Sequence, residues 1–181
     1  MGSGEHLLQS LPADVATELA AWEGEWLRMS GITELDTDAA KELVTWDGRV
    51  LSLNGLLELG PDTAEALASW SGLTLELNGL PAMDSQSAEK LAHWQGWRIS
   101  LNSVEQIDDD TAYALAGWEG DILSLSGLSM MNDDTAEALE AFEGALIVDG
   151  SAEVSRYDDT EPDTIPSVGP RLDPYRDSED E

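Results

Sequence analysis

The chain has 181 residues, 38 of them acidic and 8 basic, for a formal net charge of −30. That balance excludes a nucleic-acid binder working through a basic surface, because counterion release needs Lys and Arg in number. A hydrophobic content of 41% excludes wholesale disorder and points to one folded domain with an appendage.

No run approaches the roughly 18 apolar residues of a membrane span. The opening Met1-Gly2-Ser3-Gly4-Glu5-His6 has neither the basic nor the apolar stretch of a secretion signal, and it departs from a myristoylation signal at His6. A cytosolic protein without a lipid anchor is expected. Zero Cys leaves no disulfide framework and no thiolate zinc site.

The first predicted element is a helix near Pro12 to Trp22. No leucine strand precedes it, since Ser3 and Glu5 stand in the slots that Leu51 and Leu53 fill later, so this edge is either irregularly capped or open. From Trp22 onward the chain repeats every 24 residues: Trp22, Trp46, Trp70, Trp94 and Trp118 each begin Trp-x-Gly, and Phe142 takes the sixth slot. Six positions before the aromatic stands an Ala, from Ala16 to Ala136, and three before it a Leu, from Leu19 to Leu139. With the next residue these form an i, i+3, i+4 stripe, the apolar face of a helix. Five and seven residues after the aromatic come Leu27/Met29, Leu51/Leu53, Leu75/Leu77, Ile99/Leu101 and Leu123/Leu125, the period-two alternation of a short strand.

Turns follow the strands at Asn54-Gly55, Asn78-Gly79, Asn102-Ser103 and Ser126-Gly127, where Gly or Asn tolerates positive φ. Asp36, Asp84, Asp108 and Asn132 stand where a helix N-cap belongs, and Pro61 occupies a first-turn position that needs no amide donor. The aromatic is expected to close each helix, and its Gly to release the chain toward the next strand. A strictly periodic aromatic is read as core, because each unit must bury its face against the next.

The L-x-L-N-G-L and A-x-x-L-A-x-W-x-G segments over roughly residues 7 to 152 resemble the leucine-rich-repeat superfamily, in an irregular variant of the bacterial kind. The resemblance implies an α/β fold: a right-handed solenoid of about six β-turn-α units, with a parallel sheet on one face, helices on the other, and a role in binding. The usual L-x-x-L-x-L-x-x-N frame would place leucine at Gly48, Gly72, Gly96 and Gly120 and asparagine at Leu56 and Leu80. Asn54, Asn78 and Asn102 lie two residues earlier, so an asparagine ladder here would have partners of its own.

In the last unit Ile147 is read as keeping the strand pattern, with Asp149 replacing the second leucine as a polar end-cap. The domain is taken as residues 1–152. Residues 153–181, with four prolines, acids and three arginines, read as an acidic disordered tail. Leu172 and Tyr175 are its candidate anchors for a short linear motif.

The first-turn acids Asp14, Asp38, Asp62, Asp110 and Asp134 are read as helix-dipole stabilisers, about 0.3–1 kcal/mol each. Asp108-Asp109-Asp110 lacks the alternating oxygens and glycine of a calcium loop. His6 and His93 have no nucleophile beside them in sequence. No catalytic, cofactor or metal residue is assigned, and no enzyme activity is expected. Alternation places Trp26, Val50, Thr74, Arg98 and Ile122 outward in one column of the sheet, and Arg28, Ser52, Glu76, Ser100 and Ser124 in the next, a mixed and nearly neutral face. Trp26, Arg28, Val50, Thr74, Glu76, Arg98, Ile122, Leu172 and Tyr175 are the candidate partner-binding residues. A monomeric protein-interaction module is expected, binding another protein and neither membrane nor nucleic acid directly. The alternative is an acidic nucleic-acid mimic that blocks a basic cleft.

Overall fold

Each 24-residue unit folds as one coil of a β/α solenoid in the computed structural model, which describes residues 9–148 and 152–154. The elements run α1 (Ala13–Ala20), β1 (Trp26–Arg28), α2 (Thr37–Leu43), β2 (Val50–Ser52), α3 (Pro61–Ala68), β3 (Thr74–Glu76), α4 (Ser85–Leu91), β4 (Arg98–Ser100), α5 (Asp109–Ala116), β5 (Ile122–Leu125), α6 (Asp133–Glu140), β6 (Ala145–Val148) and β7 (Ala152–Val154). One sheet carries β1 to β7 in sequence order. The first six strands are parallel, with Trp26 opposite Val50, Val50 opposite Thr74, Thr74 opposite Arg98 and Arg98 opposite Ile122. β7 turns back antiparallel on β6, covers that sheet edge and reaches past the expected domain boundary at residue 152. The remaining tail, with Leu172 and Tyr175, lies outside the described residues.

Helix starts follow the local chemistry. Asp36, Asp84, Asp108 and Asn132 each accept the main-chain N–H three residues on, from Ala39, Ser87, Thr111 and Thr135, at 2.7–2.9 Å. Pro61 opens α3 behind Gly60. The helices end two or three residues before the aromatic rather than on it, and a tight i to i−3 turn, such as Trp46 N–H to Leu43 C=O at 3.1 Å, carries the chain there.

Between sheet and helices runs one continuous core. The columns Ala40/Ala64/Ala88/Ala112, Leu43/Leu67/Leu91, Leu51/Leu75/Ile99/Leu123 and Leu53/Leu77/Leu101/Leu125 are closed to solvent. Leu56, Leu80, Val104 and Leu128, in the slots where the usual frame has asparagine, are core as well. The asparagines form a ladder two residues earlier: Asn54 Oδ1 accepts the Asn78 N–H at 2.9 Å, Asn78 Oδ1 the Asn102 N–H at 3.1 Å, and Asn102 Oδ1 the Ser126 N–H at 3.1 Å.

Further expectations change. The turn glycines hold no positive φ. A Cβ at Gly79 would stand 2.3 Å from the Asn54 carbonyl oxygen, and one at Gly55 2.4 Å from that of Ser30, so close approach of consecutive coils excludes a side chain. The glycine of each Trp-x-Gly has a different neighbour: a Cβ at Gly48 would enter the Trp46 ring, 1.9 Å from Cζ2. The last coil is one residue short, since Leu123 pairs with Leu146 where earlier partners are 24 apart. Leu146 and Val148 therefore point inward and Ile147 outward, half-buried, which reverses the expected faces; a slip of one residue exchanges the two sides of a strand.

Candidate functional site

The outer face of the sheet is where the candidate residues meet. Parallel pairing brings Trp26, Val50, Thr74, Arg98 and Ile122 side by side, with Arg28, Ser52, Glu76, Ser100 and Ser124 in the adjoining column. Adjacent strands lie only about 4.8 Å apart. A short side chain between larger neighbours is thereby shaded: Val50 and Thr74 are each 4% exposed, and the serines 52, 100 and 124 are buried. Val50 and Thr74, both among the candidate partner-binding residues, thus form the floor of the face. Arg98, Ile122 and Glu76 are half-buried at its surface.

Polar groups on this face are tied to one another. Arg98 Nε donates to Ser100 Oγ at 3.2 Å. Asn54 Nδ2 donates to Ser52 Oγ at 2.9 Å and to Glu76 Oε2 at 3.1 Å. Ser124 Oγ donates to Asn102 Oδ1 at 2.7 Å. Desolvated hydroxyls are satisfied in this way.

Its most accessible corner is β1. Trp26 is 43% exposed, Arg28 is exposed, and the Arg28 guanidinium carbon lies 4.9 Å from the centre of the Trp26 ring. The pair is a cation–π contact at the surface, which holds both side chains in a defined pose. Among the described residues β1 pairs with β2 alone.

The tryptophan series divides. Trp46, Trp70, Trp94 and Trp118 are buried, as expected, with Phe142 completing the column. Trp22 is 57% exposed, contrary to the core reading of the whole series; among the described residues no aromatic ring of an earlier coil stacks on it. Each buried indole N–H donates to the carbonyl of the aromatic one coil earlier: Trp46 to Trp22 at 2.9 Å, Trp70 to Trp46 at 3.0 Å, and Trp94 to Trp70 and Trp118 to Trp94 at 2.8 Å. Periodicity identified the column, but not its hydrogen bonds.

On the opposite rim, a groove at the helix N-termini is lined by Glu34, Asp36, Glu58, Leu59, Thr63 and Asp84. Sequence reasoning missed it, since these residues come from three coils. Among the described residues no three His, Asp or Glu side chains gather to hold a metal ion. His93 is exposed, with Nδ1 2.8 Å from the Glu89 carbonyl oxygen. Asp108 is held below the usual carboxylate range, first by the neighbouring Thr111 hydroxyl and then by the Thr111 N–H. No described helix is long and apolar enough to cross a membrane. Comparison with protein-family models and with curated proteins gives no match.

Proposed function

We infer that the chain is a protein-interaction module of the leucine-rich-repeat kind, monomeric and cytosolic, which engages another protein through its sheet face. The observation that carries this reading is the exposed Trp26 beside Arg28 at the accessible corner of a hydrogen-bonded sheet. Tryptophan and arginine are the residue types that most often dominate binding energy at protein interfaces. Arg98, Glu76 and Ile122 extend the contact from that corner, over a floor of Val50, Thr74 and serines. The C-terminal segment with Leu172 and Tyr175 is the second arm of the proposal.

Affinity capture from the native cell tests both arms. Trp26→Ala with Arg28→Ala is expected to abolish capture of a partner retained by the wild-type chain, while circular dichroism stays unchanged. Leu172→Ala with Tyr175→Ala reports on the tail. Capture indifferent to both pairs removes this reading.

One observation favours the alternative. Asp14, Asp38, Asp62, Asp110 and Asp134 are all exposed at equivalent places in successive helices, a row broken only at Gln86, as a mimic of one phosphate strand would need. The adjoining helix column, Thr17, Lys41, Glu65, Glu89, Tyr113 and Glu137, supplies no matching second row. Binding to a DNA-binding protein that competes with duplex DNA and weakens on Asp38→Asn with Asp62→Asn would favour the mimic.

A further inference from the structure

The aromatic column is the part of this fold that partner binding leaves unused. Trp46, Trp70, Trp94 and Trp118 stack with centroids 5.8, 5.8 and 5.9 Å apart and planes within 7° of parallel, and Trp118 stacks on Phe142 at 6.0 Å. Nearly parallel π systems in contact are arranged for an electron to pass from ring to ring. Ring packing alone does not require indole here, because Phe142 fills the same slot at 2% exposure; the indole N–H adds the hydrogen bond to the preceding coil.

The fate of the indole proton separates the inner rings from the outer one. A tryptophan that loses one electron becomes a strongly acidic radical cation, and a nearby base removes its Nε1 proton and traps the charge. In Trp46, Trp70, Trp94 and Trp118 that proton is committed to a main-chain carbonyl, an acceptor that does not take it up as a base. The positive charge stays free to move. Trp22 is exposed, and its indole N–H has no acceptor among the described residues, so water can take its proton. The Trp22 ring is not itself one of the stacked rings, but its main-chain carbonyl accepts the Trp46 indole N–H at 2.9 Å and keeps the residue beside the first of them. At the other end Phe142, far harder to oxidise than indole, closes the exit. A formal net charge of −30 favours a cation inside.

We propose that this column is an electron relay which delivers oxidising equivalents to Trp22. A one-electron oxidant, either a radical or an oxidised metal complex, takes an electron from Trp118 and is itself reduced by one electron. Trp94, Trp70, Trp46 and Trp22 each pass one electron along in turn. Trp22 then releases its Nε1 proton to water and remains as a neutral radical, which a thiol restores by giving one electron and one proton; the thiyl radical so formed couples with a second one to a disulfide. The oxidant enters at the groove beside Trp118, which Glu119 and Glu143 also line.

The experiment uses the absence of native cysteine. Glu143→Cys in the full chain carries a ruthenium polypyridyl photo-oxidant as its one label; after flashes with a sacrificial electron acceptor, peptide mass spectrometry locates oxidised tryptophan. Oxidation is expected at Trp22 about tenfold above Trp26, which is also exposed. Trp70→Phe is expected to lower the Trp22 product about tenfold, to leave Trp26 unchanged, and to collect oxidation at Trp94 and Trp118; Trp97→Phe, outside the column, should change nothing. Equal oxidation of Trp22 and Trp26, or a Trp22 product indifferent to Trp70→Phe, overturns the relay. If Trp70→Phe alters the circular dichroism spectrum, Trp22→Phe decides instead: removing the exit should lengthen the lifetime of the tryptophan radical cation about tenfold, and an unchanged lifetime overturns the proposal.

Discussion

Trp70 stacks on Trp46 at 5.8 Å with planes 6° apart and at the same time donates its indole N–H to the Trp46 main-chain carbonyl at 3.0 Å. The side chain thus binds the preceding coil twice, once by ring contact and once by a hydrogen bond that satisfies a buried carbonyl. Trp70→Ala should destabilise the fold by about 3–5 kcal/mol, as large-to-small aromatic core changes do. Trp70→Phe keeps the ring contact and orphans the carbonyl, at a cost of about 1–3 kcal/mol. Chemical denaturation measures both; a loss near zero for Trp70→Ala would contradict the buried column.

The two classes of glycine give a paired test. Gly79→Ala forces a Cβ against the Asn54 carbonyl of the neighbouring coil, which is backbone and cannot swing away. A loss of about 1–3 kcal/mol is expected from this overpacking. Gly31 has no atom within 4 Å of the same position, and its φ is not positive, so Gly31→Ala should stabilise by about 0.4–1 kcal/mol through the unfolded chain. Equal thermal shifts for the two variants would dismiss the close approach of coils.

Asn78 is both donor and acceptor in the ladder, its N–H bonded to Asn54 Oδ1 and its own Oδ1 to the Asn102 N–H. Asn78→Ala leaves the half-buried Asn102 amide without its acceptor. The expected cost is about 1–3 kcal/mol, with faster hydrogen exchange at Asn102 and little change at Ala66, which lies in α3.

Asp108 caps α5 through the Thr111 N–H at 2.8 Å, and its carboxyl titrates below the ordinary value of 3.8. A depressed folded pKa means that the unfolded chain binds the proton first. Asp108 therefore adds stability that is complete above 3.8 and disappears as the pH falls through the lower folded value. Asn also caps but does not titrate. The stability of wild type minus that of Asp108→Asn should rise with pH across that acidic window and stay level near neutrality; a difference independent of pH in acid would show that the carboxylate is not held by its cap.

Few surface contacts relieve a charge of −30: among the described residues the ion pairs are Lys41 with Asp38, Arg49 with Glu25 and Lys90 with Glu65, at 3.4–3.9 Å. Such exposed pairs contribute about 0–1 kcal/mol each. Self-repulsion then dominates, and the melting temperature should rise as salt shortens the Debye length from about 10 Å at 0.1 M to about 3 Å at 1 M. A flat or falling response would contradict this.

What local chemistry governs was legible in the order of the residues. The 24-residue period, the strand alternation, the caps at Asp36, Asp84, Asp108 and Asn132, and the outward direction of Trp26 and Arg28 all depend on residues a few positions apart. Accessibility was not legible there, because the atoms that cover a residue belong to the coils before and after it. Val50 and Thr74 point outward as the alternation requires, yet neighbours 24 residues away bury them. Trp22 keeps the period and is exposed, since among the described residues no aromatic ring of an earlier coil covers it. Gly79 looked like a turn residue chosen for its φ, and the carbonyl of Asn54 is the actual constraint. In the last coil a missing residue turned Leu146 and Val148 inward: the frame counted from Phe142 pointed to Ile147, but burying the apolar pair against Leu123 and Leu125 prevailed.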